Sequence, residues 1–144
     1  MDIFDTNNIS LDIDVSSLNS GIELAGSLLN ENGYVSKEYI EAMKKREEVI
    51  STYVGNSVAV PHGISGSENL INKSGISFVR TTKPVIWDEE NEVRLIIGIA
   101  GKDGTHMDIL GKIAIVCSDE DNIEKLILAQ SAEDVVKIFE EFEE

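Results

Sequence analysis

The chain holds two histidines, His62 and His106, and both fall at the edges of predicted elements near glycines, where a side chain reaches solvent without leaving its scaffold. The segment Val60-Pro61-His62-Gly63 says more than a lone histidine would. Pro61 fixes the approach to the imidazole, and Gly63 leaves it uncrowded by a following side chain. A ring held in this way suits nucleophilic attack on phosphorus. With an ordinary pKa of about 6.5, it is largely neutral at pH 7 and keeps one bare nitrogen while a hydrogen bond pins the other. A moving phosphoryl group also has three peripheral oxygens that need donors. Arg46, at the predicted end of a helix, offers a planar fork for them. His106 sits in the first turn of its own predicted helix, where free backbone N–H groups and the helix dipole favour an anion. The spacing of the three residues does not by itself establish that they converge.

Each residue also has a plainer reading. A histidine at a strand or helix end is commonly a hydrogen-bonded polar residue, and Arg46 has Glu41, Glu47 and Glu48 nearby for a surface ion pair. Trp87 borders the acidic cluster Asp88-Glu89-Glu90-Asn91-Glu92, a solvated turn, and reads as packing. The single Cys117 ends the apolar run Ile113-Ala114-Ile115-Val116-Cys117, so it reads as a reduced, buried thiol. Two histidines far apart in sequence make a poor zinc site, and no metal is expected. Neither Gly63-Ile64-Ser65-Gly66 nor Gly101-Lys102-Asp103-Gly104 fits a Walker loop, which disfavours an ATP-dependent kinase.

The elements that must position these residues follow from periodicity. Ile9, Leu11, Ile13 and Val15 alternate with polar residues as in a half-buried strand. From Ser17 the apolar spacing is helical up to the stop at Asn32-Gly33, and a second helix begins after Ser36, carries Tyr39, Ile40 and Met43 on one face and fades near Glu48. Thr52 to Asn56 reads as a turn leading into a strand Val58-Ala59-Val60, which Pro61 stops so that His62 lies at the strand exit. Beyond a polar loop bracketed by Gly63, Gly66 and Gly75, Ile76-Ser77-Phe78-Val79 is a further strand. Val93 to Ala100 is apolar enough for a central strand covered on both faces. Next comes a helix with Ile109, Leu110, Ile113 and Val116 at helical spacing. Ser118 with Asp121, and Ser131 with Asp134, mark two more helix starts. This order predicts a mixed sheet with helices on both sides.

The chain has 144 residues, 42% of them apolar, which suits one globular domain over residues 1–144. Its 27 acidic against 12 basic residues give a net charge of −15, which disfavours nucleic acid and anionic membrane surfaces and favours a basic protein partner. Met1-Asp2-Ile3-Phe4-Asp5 lacks the positive charge of a signal peptide and no apolar run approaches ~18 residues, so a cytoplasmic location is expected.

The stretch from Arg46-Glu47-Glu48 through Thr52-Tyr53-Val54-Gly55-Asn56-Ser57-Val58-Ala59-Val60-Pro61-His62-Gly63 resembles the active-site signature of the mannitol/fructose-type enzyme IIA components of the bacterial phosphoenolpyruvate-dependent sugar phosphotransferase system. The likeness extends from Ile9 to the final helices and is greatest with the mannitol-specific branch. It implies a three-layer α/β/α sandwich with a mixed β-sheet. It also implies that His62 accepts a phosphoryl group from the phosphocarrier protein HPr and passes it to a cysteine of the IIB domain of a membrane mannitol permease. His106 matches the family's second active-site histidine and Arg46 its phosphoryl-binding arginine; no cofactor is implied. A fructose-specific component, or a regulatory module of the nitrogen-related type, is the alternative. With no IIB segment or membrane span in the sequence, the expectation is a separate soluble component whose transporter lies on another chain.

Overall fold

The computed structural model describes residues 4–88 and 90–141. Among the described residues five strands form one mixed sheet: β1 (Ile9–Ile13), β2 (Tyr53–Gly55), β3 (Val58–Ala59), β4 (Gly75–Ile86) and β5 (Glu92–Ala100), in the order β1-β4-β5-β3-β2. β4 and β5 pair antiparallel at the centre, with β1 parallel to β4 and β3 parallel to β5. The apolar run of β5 is therefore central, as its composition predicts, and both of its faces are covered. Leu95, Ile97 and Ile99 pack into a core with Ile109, Ile113 and Val116 of α3 (His106–Cys117), Leu126 of α4 (Glu120–Leu128) and Val135 and Phe139 of α5 (Ala132–Glu140). On the other face Ile96 joins Ile22, Ala25 and Leu29 of α1 (Leu18–Glu31) and Tyr39 and Met43 of α2 (Tyr39–Val49). The result is the expected three-layer α/β/α sandwich.

Helix boundaries follow local chemistry. Ser17 Oγ accepts from Ser20 N at the start of α1, and Gly33, with φ of 85°, takes the left-handed conformation after its end. Ser131 Oγ caps α5 by accepting from Asp134 N, as its spacing predicts. The cap predicted at Ser118 is instead at Asp119, whose carboxylate accepts from Asp121 N, while Ser118 closes α3 by donating its N–H to Ala114 O. A carboxylate beside the positive end of a helix is a stronger acceptor than a hydroxyl.

The segment read as a turn at Thr52 to Asn56 is another correction, because Tyr53–Gly55 is the edge strand β2, antiparallel to β3. The reversal falls later, at Asn56 and Ser57, with φ of 51° and 67°, the left-handed pair that a two-residue hairpin requires. Asn56 Nδ2 fastens this hairpin to the far layer by donating to Cys117 O at 2.9 Å. β4 also runs well past Val79 and includes Pro84, tolerated where its register with β5 shifts between Arg80 and Val85. In the acidic turn, Trp87 N donates to Asn91 O and Asn91 N to Asp88 O. Glu89 of that turn lies outside the described residues, as do Met1, Asp2 and Ile3 of the amino-terminal reading.

Candidate active site

β3 and β5 are parallel neighbours, so their carboxyl ends lie side by side at one edge of the sheet, the usual place for a site in an α/β fold. The chain leaves β3 through Pro61 and His62 and leaves β5 through Gly101 into α3. Ile99 N donates to Pro61 O at 2.9 Å, and His62 forms a parallel bridge with Ile99, so the sheet holds the backbone of His62 even beyond the formal end of β3.

The His62 ring is fixed as well. Nδ1 lies 2.8 Å from Val60 O, and because a carbonyl can only accept, Nδ1 carries the proton and Nε2 keeps its lone pair. Burial, more than any other influence, holds the His62 pKa below its ordinary value. The positive fields of Arg46 and His106 add to that, while the Val60 carbonyl and the Glu47 charge oppose it. The neutral imidazole, the form able to attack phosphorus, is thereby favoured.

Arg46 and His106, the partners predicted from sequence, meet His62 in one cavity of about 310 Å³, lined also by Tyr39, Gly63, Ser65, Ser67, Glu68 and Met107. The rings of His62 and His106 lie 6.2 Å apart between centroids and 29° from parallel. Arg46 is in the last turn of α2, and its Nη1 donates to Ile50 O at 2.7 Å, which ties the guanidinium to the end of its own helix. His106 opens α3, and among the described residues no side chain caps its start, so no capping oxygen competes for its first-turn N–H groups. Gly101 is required beneath it: a Cβ there would stand 2.3 Å from His106 N.

Among the described residues no carboxylate forms an ion pair with Arg46, so the ion-pair reading fails for Glu41, Glu47 and Glu48 alike. Glu41 lies 3.7 Å from Lys44. Glu47 accepts from Thr52 N at 2.7 Å, Thr52 Oγ1 at 2.6 Å and Trp87 Nε1 at 2.9 Å, pinning the segment after α2 to the core. Trp87 is 4% exposed and so packs as expected, with this additional polar role for its indole. Cys117 is buried and its thiol is pushed up to about 12 by burial, which makes it inert. Sequence reading placed Glu47 only as an ion-pair candidate for Arg46, and Tyr39 only as part of an apolar face. The available signal was chemical, since a buried tyrosine hydroxyl or indole N–H needs a partner.

The family model described as "Phosphoenolpyruvate-dependent sugar phosphotransferase system, EIIA 2" matches residues 2–142. The chain belongs to this family. Among its relatives is the mannitol-specific phosphotransferase enzyme IIA component of Bacillus subtilis (strain 168), 45% identical over 141 residues, 98% of this chain and 99% of the relative. The structure superposes with a TM-score of 0.89 on a complex of enzyme IIAMTL and phosphorylated enzyme IIBMTL from Escherichia coli, at 32% identity over 94% of this chain and 95% of that one. Nitrogen regulatory protein IIA-Ntr from Neisseria meningitidis matches with a TM-score of 0.84 at 31% identity, covering 96% of this chain and 97% of that one. The fold is thus shared by proteins named for mannitol phosphotransfer and for nitrogen regulation, and the Bacillus subtilis relative is the more similar in sequence.

Proposed function

We propose that this EIIA 2 protein is the phosphocarrier of a mannitol uptake system, with His62 as the group that carries the phosphoryl. The observation that carries the reading is the tautomer of His62: Nδ1–H is committed to Val60 O, leaving Nε2 as the nucleophile in a cavity shared with Arg46 and His106. In the first step the phosphorus–nitrogen bond of phosphorylated HPr breaks as a phosphorus–nitrogen bond to Nε2 forms, and the departing imidazole keeps the electron pair. In the second, a cysteine thiolate of IIB attacks the same phosphorus and Nε2 recovers its lone pair. Arg46 and His106 offer donors to the peripheral oxygens during both transfers, and positioning with charge stabilisation accounts for the rate.

The rim of the cavity supports docking of protein partners. Met107 is 65% exposed and Val54 52%, and both line an apolar groove beside the cavity. The net charge of −15 attracts a basic partner face such as the one this reading assigns to HPr. Among the described residues no helix is long and apolar enough to cross a membrane, in keeping with a cytoplasmic carrier that meets the permease through IIB.

The likeness to a nitrogen regulatory protein supports a second reading, in which phosphorylation of His62 alters affinity for regulatory targets. The fate of the phosphoryl group separates the two. Incubation of the labelled protein with a mannitol IIB domain should move the label to the IIB cysteine. Label retained on His62 with an active IIB would favour the regulator, and transfer only to a fructose IIB would reassign the sugar.

A further inference from the structure

The buried hydroxyl of Tyr39 occupies an unusual place in the sheet. A parallel bridge between His62 and Ile99 has two ladder bonds available to it, one from Ile99 N to Pro61 O and one from Gly63 N to Ile99 O. The first is made directly at 2.9 Å. The second is routed through Tyr39: Gly63 N donates to Tyr39 Oη at 2.8 Å, and Tyr39 Oη donates to Ile99 O at 2.8 Å. The ring is wedged under the same peptide, for a Cβ on Gly63 would lie 2.5 Å from Tyr39 Cε1. The next residue is held by the same helix, because Ile64 N donates to Ala42 O at 3.1 Å.

We propose that Tyr39 is a positioning residue for phosphoryl transfer, its hydroxyl spliced into the β3–β5 ladder to set the backbone of His62 relative to Arg46. Both Tyr39 and Arg46 belong to α2, so one rigid element fixes the peptide that follows the nucleophile and the guanidinium that faces the phosphoryl oxygens. Burial raises the Tyr39 pKa to about 12, which keeps the hydroxyl protonated and able to donate to Ile99 O throughout the working range. Replacement by phenylalanine removes the relay but not the wedge. Gly63 N–H and Ile99 O then lose their common partner while the ring still packs against Gly63. The His62 peptide shifts, and with it the Nδ1 bond to Val60 O.

The inference rests on His62 being the phosphoryl carrier, so the test runs Tyr39→Phe, His62→Ala and the unmodified protein side by side with phosphorylated HPr. The expected result is a kcat for Tyr39→Phe lower by about 10-fold to 100-fold with little change in KM for HPr, since the docking rim is intact. Nitrogen NMR of the His62 ring should show the Nδ1–H tautomer, dominant in the unmodified protein, diluted in Tyr39→Phe. A merely structural role would lower the melting temperature and leave tautomer and kcat unchanged, and that outcome overturns the inference while His62→Ala remains inert. Full labelling of His62→Ala would instead overturn the carrier reading. Hydrogen exchange of the Gly63 amide in the unmodified protein gives a measurement that depends on no variant: protection supports the relay, and exchange at the rate of an open loop contradicts it.

Discussion

His62 and His106 share a cavity with 6.2 Å between ring centroids, yet the first is fixed through both side chain and backbone and the second through its backbone alone. The His62 imidazole bonds to Val60 O, and its flanking peptides bond to β5, directly through Pro61 and by way of the Tyr39 hydroxyl through Gly63. Among the described residues no hydrogen bond holds the His106 ring, whose place is set by the start of α3 closing over Gly101. The difference matches the demands on the two groups. A nucleophile needs one tautomer and one position before the partner arrives, whereas a donor to a migrating charge can reorient as the charge moves.

Beyond loss of the carrier His62 itself, the largest expected effect is at Arg46. Arg46→Ala should slow phosphoryl acceptance by about 10²-fold to 10³-fold, the cost of a donor aimed at developing charge. Arg46→Lys should recover only part of it, because a point charge does not reproduce the fork. Rapid-quench labelling measures both, and equal rates for the lysine variant and the unmodified protein would deny the fork any role. His106→Ala should keep phosphorylation of His62 while slowing it by about tenfold and shortening the life of the phosphoprotein. If it were as inert as a His62 variant, the contrast between fixed nucleophile and adaptable donor would fail.

Gly101→Ala tests the backbone half of the comparison. Because its Cβ would strike His106 N rather than a movable side chain, it should displace the start of α3 and cost about 1 to 3 kcal/mol of stability. NMR shifts centred on the start of α3 are expected, with the Nδ1–H tautomer of His62 retained because its bond to Val60 O does not involve α3. The smallest effect is in pH. The folded-state pKa of His62 lies below its unfolded value of about 6.5. The neutral ring therefore dominates above pH 6.5 and is lost only as pH falls through the lower folded value. In the same window the unfolded chain takes up the proton first, so stability declines on acidification and is complete above 6.5. An NMR titration midpoint for His62 above 6.5 would reverse the sign.

The parts of the fold written in local chemistry were legible: the run from Ser17 to Gly33, the apolar β5 and the Pro61 stop that puts His62 at a strand exit. Arg46, His62 and His106 stood out by residue type and setting. Their convergence did not, because His62 meets His106 through β3 lying parallel to β5, and Arg46 reaches them through α2 bonding to the segment after His62, pairings between distant segments that no local pattern encodes. β2 was hidden because three residues are too few to show alternation. Glu47 looked like one more acid on a charged helix, and Tyr39 like one more apolar contact. Each gains its role only when folding brings Trp87, Gly63 and Ile99 to it.

The most direct test of the central claim is the intact mass of the protein after incubation with enzyme I, HPr and phosphoenolpyruvate, with His62→Ala alongside and a portion of each sample then exposed to acid. One acid-labile phosphoryl group on the unmodified protein and none on the variant is the predicted result. No mass change with HPr shown to be phosphorylated in the same tube, or equal labelling of His62→Ala, would contradict it.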